Sequence, residues 1–407
     1  MSRAMKDSGV PWLKEIPVDW KVELGKNVLA LQKRPVRDND EVVTCFRDGE
    51  VILRSLRRTE GFTMSDKEIG YQGINEGDIV IHGMDGFAGA MGVSKSTGKG
   101  SPVLIVCTPK YDAIPQYIIY YLRALAMTDV FVALATGIRE RSCDLRWNKV
   151  SELEFIMPSS SEQQKIVEFL DRKCAEIDEM VALQEKVIEE LKAYKQSVIT
   201  EAVTKGLNPN VPMRDSGIEW IGQIPEHWST KRLKYLCSIQ TGNKDTQDAD
   251  NDGEYLFYVR SPFVERSTSY SFEGEGILMA GDGAGAGRVF HHAFGKYAVH
   301  QRVYRLSKFT DINTKYLFFY ISNLFNKVMD MGSAQSTVPS VRLPMLTNFA
   351  VCSPSFNEQQ AIADYLDEKC ADIDSLIQTK QSKIDSLKEY KKSIIYEYVT
   401  GKKEVNE

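Results

Sequence analysis

The sequence has no long apolar run, no paired cysteines and no histidines at a metal-ligand spacing. None of its stretches reaches the about 18 consecutive apolar residues of a membrane span, and its first residues lack the apolar core of a secretory signal. The seven cysteines occur singly, without a Cys-x-x-Cys pair, and the five histidines show no His-Glu-x-x-His spacing. These absences argue against a membrane protein, a disulfide framework and a metal site, and they predict a cytoplasmic protein.

Catalytic motifs are also missing. Residues 280–292, AGDGAGAGRVFHH, place glycine at every second position after a β-like run, but β-like residues follow where a dinucleotide loop would enter a helix. Residues 92–100, GVSKSTGKG, have five residues between the glycines of a phosphate-binding loop instead of four. There is no Gly-x-Ser-x-Gly elbow, no nuclease carboxylate pair and no Asn-Pro-Pro-aromatic loop for amino methylation. We therefore predict that the chain is not an enzyme.

The net charge of −5 is unevenly distributed. Residues 162–206 carry 7 basic and 10 acidic side chains, and residues 358–407 carry 8 and 11. The rest of the chain is slightly basic, so the overall acidity does not exclude a nucleic-acid partner.

An internal repeat is the strongest pattern in the sequence. Residues 162–204 align without a gap on residues 358–400, with about half of the positions identical. Upstream of each block, MKDSGVPWLKEIPVDW (residues 5–20) matches MRDSGIEWIGQIPEHW (residues 213–228). The intervening regions share almost no identity. The chain is thus a pseudo-twofold repeat of constant and variable segments.

Both repeated blocks predict long helices. Apolar residues recur at alternating spacings of about three and four, and neither block contains proline or glycine before its end. Ser160, Ser161 and Asn357 are candidate N-caps, and Gly206 and Gly401 mark the ends. One narrow stripe cannot stabilise an isolated helix of some 43 residues, so we expect the two helices to pair as an antiparallel coiled coil.

The variable regions predict two α+β domains. Short β-rich runs such as DIVIHG and GILMAG alternate with turn residues, and each region contains one helical stretch, IPQYIIYYLRALAM or INTKYLFFYISNLFNKVM. Residues 81–92, IHGMDGFAGAMG, correspond in place to the glycine-rich stretch at 280–292. Two such tips suggest a hairpin whose backbone approaches another group closely, with a simple mobile hairpin as the alternative.

Basic and amide side chains cluster near these tips in both regions. Arginine and glutamine can read guanine and adenine edges, while lysine, serine and turn N–H groups hold phosphates. The candidate DNA-binding residues are Arg54, Arg57, Arg58, Lys95, Lys99, Arg139, Arg141, Arg146, Arg260, Arg266, Arg288, His291, His300, Arg302, Gln335, Ser336 and Arg342.

The order of the motifs resembles the specificity subunits of type I restriction-modification enzymes. The resemblance rests on the Gly-x-x-Trp-Ile-Gly-x-Ile-Pro-x-x-Trp motif at 217–228 (weaker at 9–20), the Pro-Ser-x-x-Glu-Gln-Gln junctions before each helix, and the Leu-Lys-x-Tyr-Lys-x-Ser-x-Ile-x-Glu-x-Val-Thr endings. It covers nearly the whole chain. It implies a first target-recognition domain at 1–156, a helical spacer at 157–206, a second recognition domain at 207–352 and a second spacer at 353–407.

The resemblance also implies a function and partners. The chain would recognise an asymmetric bipartite site in double-stranded DNA and position two methyltransferase subunits, together with restriction subunits where the system has them. It would hold no cofactor itself, since S-adenosylmethionine belongs to the methyltransferase. The helices would set the spacer between the half-sites, on the order of half to one turn of DNA. Two alternatives remain: a coiled-coil adaptor that binds only proteins, and an enzyme with an unfamiliar site in the glycine-rich tips.

Overall fold

Two helices of the structure are far longer than the others. A computed structural model describes residues 3–57, 69–128, 130–131, 145–332 and 339–405. Its α-helices are α1 Gly25–Val28, α2 Pro115–Met127, α3 Trp147–Glu152, α4 Ser160–Lys205, α5 Thr314–Gly332, α6 Leu343–Thr347 and α7 Phe356–Val399. The long helices α4 and α7 coincide with the repeated blocks, and α2 and α5 with the helical stretches of the variable regions. No described helix has both the length and the apolar content needed to cross a membrane.

The chain divides into two compact units, and each contains half of each long helix. The first unit comprises Met1–Gln184 with Ser382–Glu407, and the second comprises Glu185–Gln381. Each unit therefore combines one variable region with parts of both helices. The four-part division into two domains and two spacers stays a prediction, since the units cut the helices at their middle.

The strands of the first unit form small antiparallel sheets. They are β1 Met5–Val10, β2 Leu13–Pro17, β3 Lys21–Leu24, β4 Leu29–Leu31, β5 Val43–Cys45, β6 Val51–Leu53, β7 Gln72–Ile74, β8 Ile79–His82, β9 Met91–Val93, β10 Gly98–Gly100, β11 Leu104–Pro109 and β12 Glu154–Met157. The central sheet has the order β4-β11-β8-β9, while β1-β2, β3-β12, β5-β6 and β7-β10 form two-stranded sheets.

The second unit repeats the central sheet of the first and contains a second four-stranded sheet. Its strands are β13 Met213–Asp215, β14 Gln223–Pro225, β15 Ser229–Arg232, β16 Ser238–Thr241, β17 Tyr255–Tyr258, β18 Glu265–Ser267, β19 Phe272–Glu273, β20 Gly276–Ala280, β21 Phe290–Ala293, β22 Lys296–Val299, β23 Val303–Ser307 and β24 Ala350–Ser353. The order β16-β23-β20-β21 matches the central sheet of the first unit, and β15-β24 matches β3-β12. The other sheet, β18-β17-β22-β19, contains the parallel pair of β17 and β22. The predicted α+β repeat is confirmed.

The long helices run antiparallel within each unit. In the first unit Lys391 of α7 donates to Asp178 of α4 at 2.6 and 2.7 Å. In the second unit Lys195 of α4 donates to Asp374 of α7 at 2.7 Å, so the two helices exchange roles in the same register. Ile166 and Leu170 pack with Ile394 and Val399 in the core of the first unit, and the second core repeats the arrangement.

The ends of the long helices correct one detail of the sequence-based prediction. The hydroxyls of Ser159 and Ser355 accept the N–H groups of Glu162 and Glu358 at 3.3 Å, so these serines cap the helices instead of Ser160, Ser161 or Asn357. The helices therefore begin earlier than the repeated Glu-Gln-Gln motif. At the other ends, the predicted glycine stops are confirmed, with φ of 78° at Gly206 and 71° at Gly401.

Two glutamines fix the start of each long helix to its domain. Gln163 is buried, accepts the N–H of Ile114 at 2.9 Å and donates to the carbonyl of Pro158 at 3.0 Å. Gln359 is also buried and makes the same two bonds, to Asn313 and Pro354, at 2.7 and 2.9 Å. The middle residue of each Glu-Gln-Gln motif is thus a buried hydrogen-bonding group, which explains its presence in both repeats.

The glutamate of each motif binds a tryptophan of the upstream repeat. Glu162 accepts from Nε1 of Trp20 at 2.9 Å, and Glu358 accepts from Nε1 of Trp228 at 3.0 Å. Both indole rings are almost completely buried. The two repeated blocks, far apart along the chain, are therefore parts of one joint in each unit.

Candidate nucleic-acid interface

The two glycine-rich tips occupy equivalent places in the two central sheets. The first tip (83–90) connects β8 to β9, and the second tip (281–289) connects β20 to β21. The first residue of each tip donates its N–H to a carbonyl beside the neighbouring strand, that of Val103 at 2.9 Å or that of Arg302 at 2.8 Å. Strands, not helices, follow both tips, which contradicts a dinucleotide loop.

The carbonyl at the start of each tip binds a segment much later in the chain. It accepts the N–H of Leu145 at 2.9 Å in the first unit and that of Val341 at 2.8 Å in the second. Two candidate residues follow directly, Arg146 and Arg342, each at the position preceding a short helix, α3 or α6. Both are exposed. These two arginines are thus structurally equivalent and lie on the segment that joins the tip.

Glycines in the tips allow a second loop to pack against them. A Cβ atom at Gly285 would lie 2.5 Å from the carbonyl oxygen of Arg260, and one at Gly89 would lie 3.1 Å from that of Arg47. Real Cβ atoms essentially never approach closer than about 3 Å, so Gly285 cannot bear a side chain without movement of this loop. The sequence predicts that the backbone of each tip approaches another group closely. In the structure this group is the backbone of a loop that carries an arginine, Arg47 or Arg260.

These loops carry one arginine each at the same place. Arg47 lies two residues beyond the end of β5, and Arg260 lies two residues beyond the end of β17. Arg47 Nη2 donates to Asp85 of the first tip at 2.9 Å, and Arg260 Nη1 donates to Asp282 of the second tip at 2.9 Å. The same arginine–aspartate couple thus occurs in both units.

The second tip binds a further arginine. Arg302 Nη1 donates to the other carboxylate oxygen of Asp282 at 2.7 Å. Burial raises the pKa of Asp282, but the hydrogen bonds from Arg302 and Arg260 outweigh it and hold this pKa below its usual value. Asp282 is therefore ionised at neutral pH. Val103 occupies the corresponding place in the first unit, so the two tips differ in charge.

A cavity of about 690 Å³ lies beside Arg47 in the first unit. It is lined by two candidate residues, Arg54 and Arg57, together with His82 and Asp85. Arg54 Nε donates to the hydroxyl of Thr44 at 3.1 Å. The structure thus brings Arg54 and Arg57 together with the arginine–aspartate couple.

Arg57 is tied to its own hairpin. It donates to Asp48 at 2.5 and 3.0 Å and to Glu50 at 3.0 Å, and its guanidinium lies 4.2 Å from the ring centre of Phe46. The hydrogen bond from Arg57 lowers the pKa of Asp48. Arg57 is therefore held in place by two carboxylates and an aromatic ring.

Two candidate histidines support the second tip from within. His300 is 3% exposed, and its Nδ1 accepts the N–H of Arg302 at 3.1 Å. His291 is half-buried, with its Nε2 at 3.1 Å from the carbonyl of Ser261. Burial lowers the pKa of both histidines, so both are neutral at pH 7. Their geometry suits them to positioning Arg302 and the Arg260 loop.

Of the remaining candidates, Arg288 lies in the second tip, and Lys95 binds Glu50, to which Arg57 also donates. Their observed partners or positions are Lys95 with Glu50 at 3.0 Å, Lys99 within β10, Arg266 with the carbonyl of Gly253 at 3.0 Å, and Arg288 with Asp330 at 3.9 Å. Arg58, Arg139, Arg141, Gln335 and Ser336 lie outside the described residues. Whether any candidate contacts DNA stays a prediction.

The sequence analysis missed Arg47, Asp85 and Asp282. The available signal was the Asp-Gly dipeptide present in both tips, at 85–86 and 282–283. Among the described residues, no group of three or more His, Cys, Asp or Glu side chains could hold a metal ion.

Comparison with known proteins finds similarity to one family. The model of the type I restriction modification DNA specificity domain matches residues 225–389. The EcoDI specificity subunit of Escherichia coli is 29% identical over 174 residues, which are 43% of this chain and 38% of that subunit. The MjaVIII specificity subunit of Methanocaldococcus jannaschii is 24% identical over 418 residues, with 95% of this chain and 93% of that one aligned.

Solved structures share the fold. A chain from a structure of the assembly and conformational transition of the type I R-M system aligns over 95% of this chain and 99% of its own length, with a TM-score of 0.73 and 15% identity. The HsdS subunit of Thermoanaerobacter tengcongensis gives a TM-score of 0.51 at 15% identity over 95% of this chain and 98% of its own. In its repeated frame and in these matches, the chain is similar to the DNA specificity subunits of type I restriction-modification systems.

Proposed function

We propose that the chain is the DNA-recognition subunit of a type I restriction-modification complex and that its two variable domains read the two halves of an asymmetric bipartite target. The observation that carries this proposal is the pair of equivalent but unlike tips. In each unit an aspartate of the tip binds an arginine of a neighbouring loop. Arg302 also binds the second tip, whereas Val103 occupies the corresponding place beside the first. Equivalent frames with different side chains would read different DNA words.

The chemistry of the tips suits DNA better than a protein partner. Arginine carries five N–H donors in a planar fork that matches the acceptor pair of a guanine edge in the major groove. Arg146 and Arg342 follow the segments bound to the tips, and both are exposed, as side chains that contact phosphates must be. The family match and the relatives support DNA recognition over the alternative of a protein-only adaptor.

Two copies of a methyltransferase subunit are the partners that the helices suit. In the first unit Met180 of α4 and Tyr390 of α7 are exposed, and in the second unit Leu376 of α7 and Tyr194 of α4 are exposed, each by 47–59%. All four occupy the same position of the seven-residue pattern, which places both members of a pair on one flank of antiparallel helices. A large exposed aromatic beside an aliphatic residue is typical of a protein-binding surface.

The duplication supports the copy number. Met180 and Leu376 are equivalent in the repeat, and so are Tyr194 and Tyr390. The same docking pair is therefore available once in each unit, as two identical partner subunits require. The acidic character of the helices disfavours phosphate and favours a protein here.

The chemistry would reside in the partners. This chain would bind no cofactor and would act without catalytic groups of its own, while the methyltransferase holds S-adenosylmethionine and modifies adenine. Restriction subunits would join where the system has them. Such a complex would work in the cytoplasm, where its DNA is.

Methylation mapping tests the proposal. Host DNA is sequenced for modified adenine with this chain and its methyltransferase present, and again with the gene for this chain deleted. We expect one bipartite motif to lose methylation on deletion. An unchanged pattern of methylation would contradict the proposal.

A further inference from the structure

The arginine–aspartate couples of the two tips lie at the same place in two domains that otherwise share almost no sequence. The couples are Arg47 with Asp85 and Arg260 with Asp282. A surface ion pair that only stabilised a hairpin would contribute little to stability, since solvent and salt screen exposed charges. Its occurrence in both units, each time with the arginine loop packed against a glycine of the tip, therefore needs another explanation.

In each couple the aspartate is the less exposed partner. The side chain of Asp85 is 34% exposed against 70% for Arg47, and that of Asp282 is 22% exposed against 41% for Arg260. The backbone of Asp85 is fixed in the tip, because its N–H donates to Nδ1 of His82 at 3.0 Å and its carbonyl accepts from Ala88 at 2.9 Å. The aspartate is thus a fixed anchor, and the arginine projects from it towards solvent.

The charge of the first couple argues against phosphate contacts, whereas Arg302 gives the group around Asp282 a net positive charge. Arg47 and Asp85 together carry no net charge, so the pair is attracted only weakly to the phosphate backbone. The carboxylate of Asp85 also repels the negatively charged phosphates. A guanine edge is uncharged and offers two acceptors, O6 and N7, to a guanidinium whose orientation is already fixed. One bond to the aspartate uses one of five N–H donors, which leaves enough for a bidentate contact.

We infer that Arg47 and Arg260 each read a guanine, one in each half of the target, and that Asp85 and Asp282 are positioning residues that orient them. This inference rests on the proposed function and adds the identity of the base and of the reading side chains. Arg302, 59% exposed and bound to the same carboxylate, extends the contact in the second half-site only. The first half-site is therefore contacted by one arginine, Arg47, and the second by two, Arg260 and Arg302.

The test uses the full chain assembled with its methyltransferase subunit, and pools of DNA duplexes with randomised bases as the probe. The variants are Arg47→Lys and Arg260→Lys, since lysine keeps the charge and loses the fork, together with Asp85→Ala, Asp282→Ala and Arg47→Ala, which removes the charge as well. Arg37→Ala and Arg232→Ala are the controls in the two domains. Each is an exposed arginine bound to a neutral asparagine, Asn75 or Asn348.

The wild-type complex is expected to select a bipartite motif with guanine in both halves. Each arginine variant should lose about tenfold or more of the preference for guanine at one position of one half. Asp85→Ala should lose the same preference while binding random DNA at least as tightly as the wild type, because a negative charge is removed. The controls should select the wild-type motif.

Two results separate failure of this inference from failure of the proposed function. If the wild type selects its motif but the arginine variants keep every base preference, the arginines do not read guanine. If the Asp85→Ala and Asp282→Ala variants keep every preference, the aspartates do not position the arginines, and the inference is wrong in that part. If Arg47→Ala weakens all sequences equally and lowers the slope of log affinity against log salt by about 0.9, the contact is to phosphate and the inference is wrong. If the wild-type complex selects no motif, the proposed function itself fails.

Discussion

The hydroxyl of Tyr316 lies 3.1 Å from the carbonyl oxygen of Val203, near the end of α4, and 2.9 Å from that of Cys352 in β24. Tyr117 repeats this relationship in the first unit with Val399, at 3.2 Å, and Ile156, at 2.8 Å. In each unit a buried tyrosine thus joins the last strand of the domain to the end of one long helix. This helix is not the one that follows the strand in sequence: it is α7 in the first unit and α4 in the second. Closure of each unit depends on residues far apart in the chain.

Replacing Tyr316 by phenylalanine should therefore loosen the second unit. The variant leaves two buried carbonyl groups without this donor, and we expect a loss of about 1–2 kcal/mol in the stability of that unit. Hydrogen exchange measured by mass spectrometry reports each unit separately, which a single unfolding curve would not. Tyr235→Phe, at an exposed position, is the control and should leave exchange unchanged. Equal exchange in both variants would contradict the role of this hydroxyl.

Gln163 offers a sharper comparison because its neighbour has the same side chain. Gln163→Met removes an acceptor for Ile114 and a donor to Pro158 in a buried joint, and we expect about 2 kcal/mol of destabilisation in the first unit. Gln164 is exposed and binds only Glu168 on its own helix, so Gln164→Met should cost little. Hydrogen exchange across 382–399 measures the difference. Similar losses in the two variants would mean that the joint is not specific to Gln163.

The frame of the molecule could be predicted from the sequence, whereas its tips could not. Long helices follow from a local apolar period and from the absence of proline, and the tandem repeat shows that they pair. The caps were misplaced by one or two residues, because Ser159 and Ser160 are equally good in type and only the backbone decides between them. The short helices α3 and α6 escaped detection, since five or six residues carry no period.

The structure of the two tips depends on contacts between distant segments. Arg47 and Asp85 are 38 positions apart, and neither stands out in a chain with 51 basic and 56 acidic residues. The sequence-based list favoured runs of several basic residues, such as Arg54 with Arg57, and so missed the single arginine in the hairpin. His300 was predicted to contact DNA, and this stays a prediction; it is 3% exposed, and its Nδ1 accepts the N–H of Arg302.

Mildly acidic solution should weaken the second unit through His300. Burial lowers the pKa of His300 in the folded chain, so the unfolded state binds the proton first. Neutral His300 makes its full contribution to the free energy of unfolding above its ordinary pKa of about 6.5. This contribution is lost as the pH falls below that value towards the lower pKa of His300 in the folded chain. We expect faster hydrogen exchange of the backbone N–H of Arg302, beyond the normal pH dependence, between pH 7 and 5. His300→Asn should remove this extra dependence, and its persistence in the variant would contradict the assignment to His300.

The docking pairs predict a stepwise loss of methyltransferase subunits. The double variant Tyr194→Asp, Leu376→Asp should weaken the binding free energy of one methyltransferase subunit by at least about 2 kcal/mol, because buried aromatic anchors dominate interfaces. That subunit should then be lost from the complex. The mass of the purified complex, from light scattering, would fall from two methyltransferase subunits to one. Leu183→Asp is the control, since Leu183 is equally exposed but has Thr379 as its repeat partner. Retention of two subunits by the double variant would contradict the proposed surface.

The last prediction concerns Gly285, whose place in the second tip admits no side chain. In Gly285→Ala the new Cβ would meet the carbonyl of Arg260 at 2.5 Å, so the loop carrying this arginine must move away from Asp282. We expect the preference for one base in one half-site to fall about tenfold while the other half-site keeps its preference. The variant should still bind two methyltransferase subunits, because the tip lies outside the docking pairs. Selection from randomised duplexes measures both halves at once. An unchanged motif would mean that the position of the Arg260 loop does not determine the base that is read.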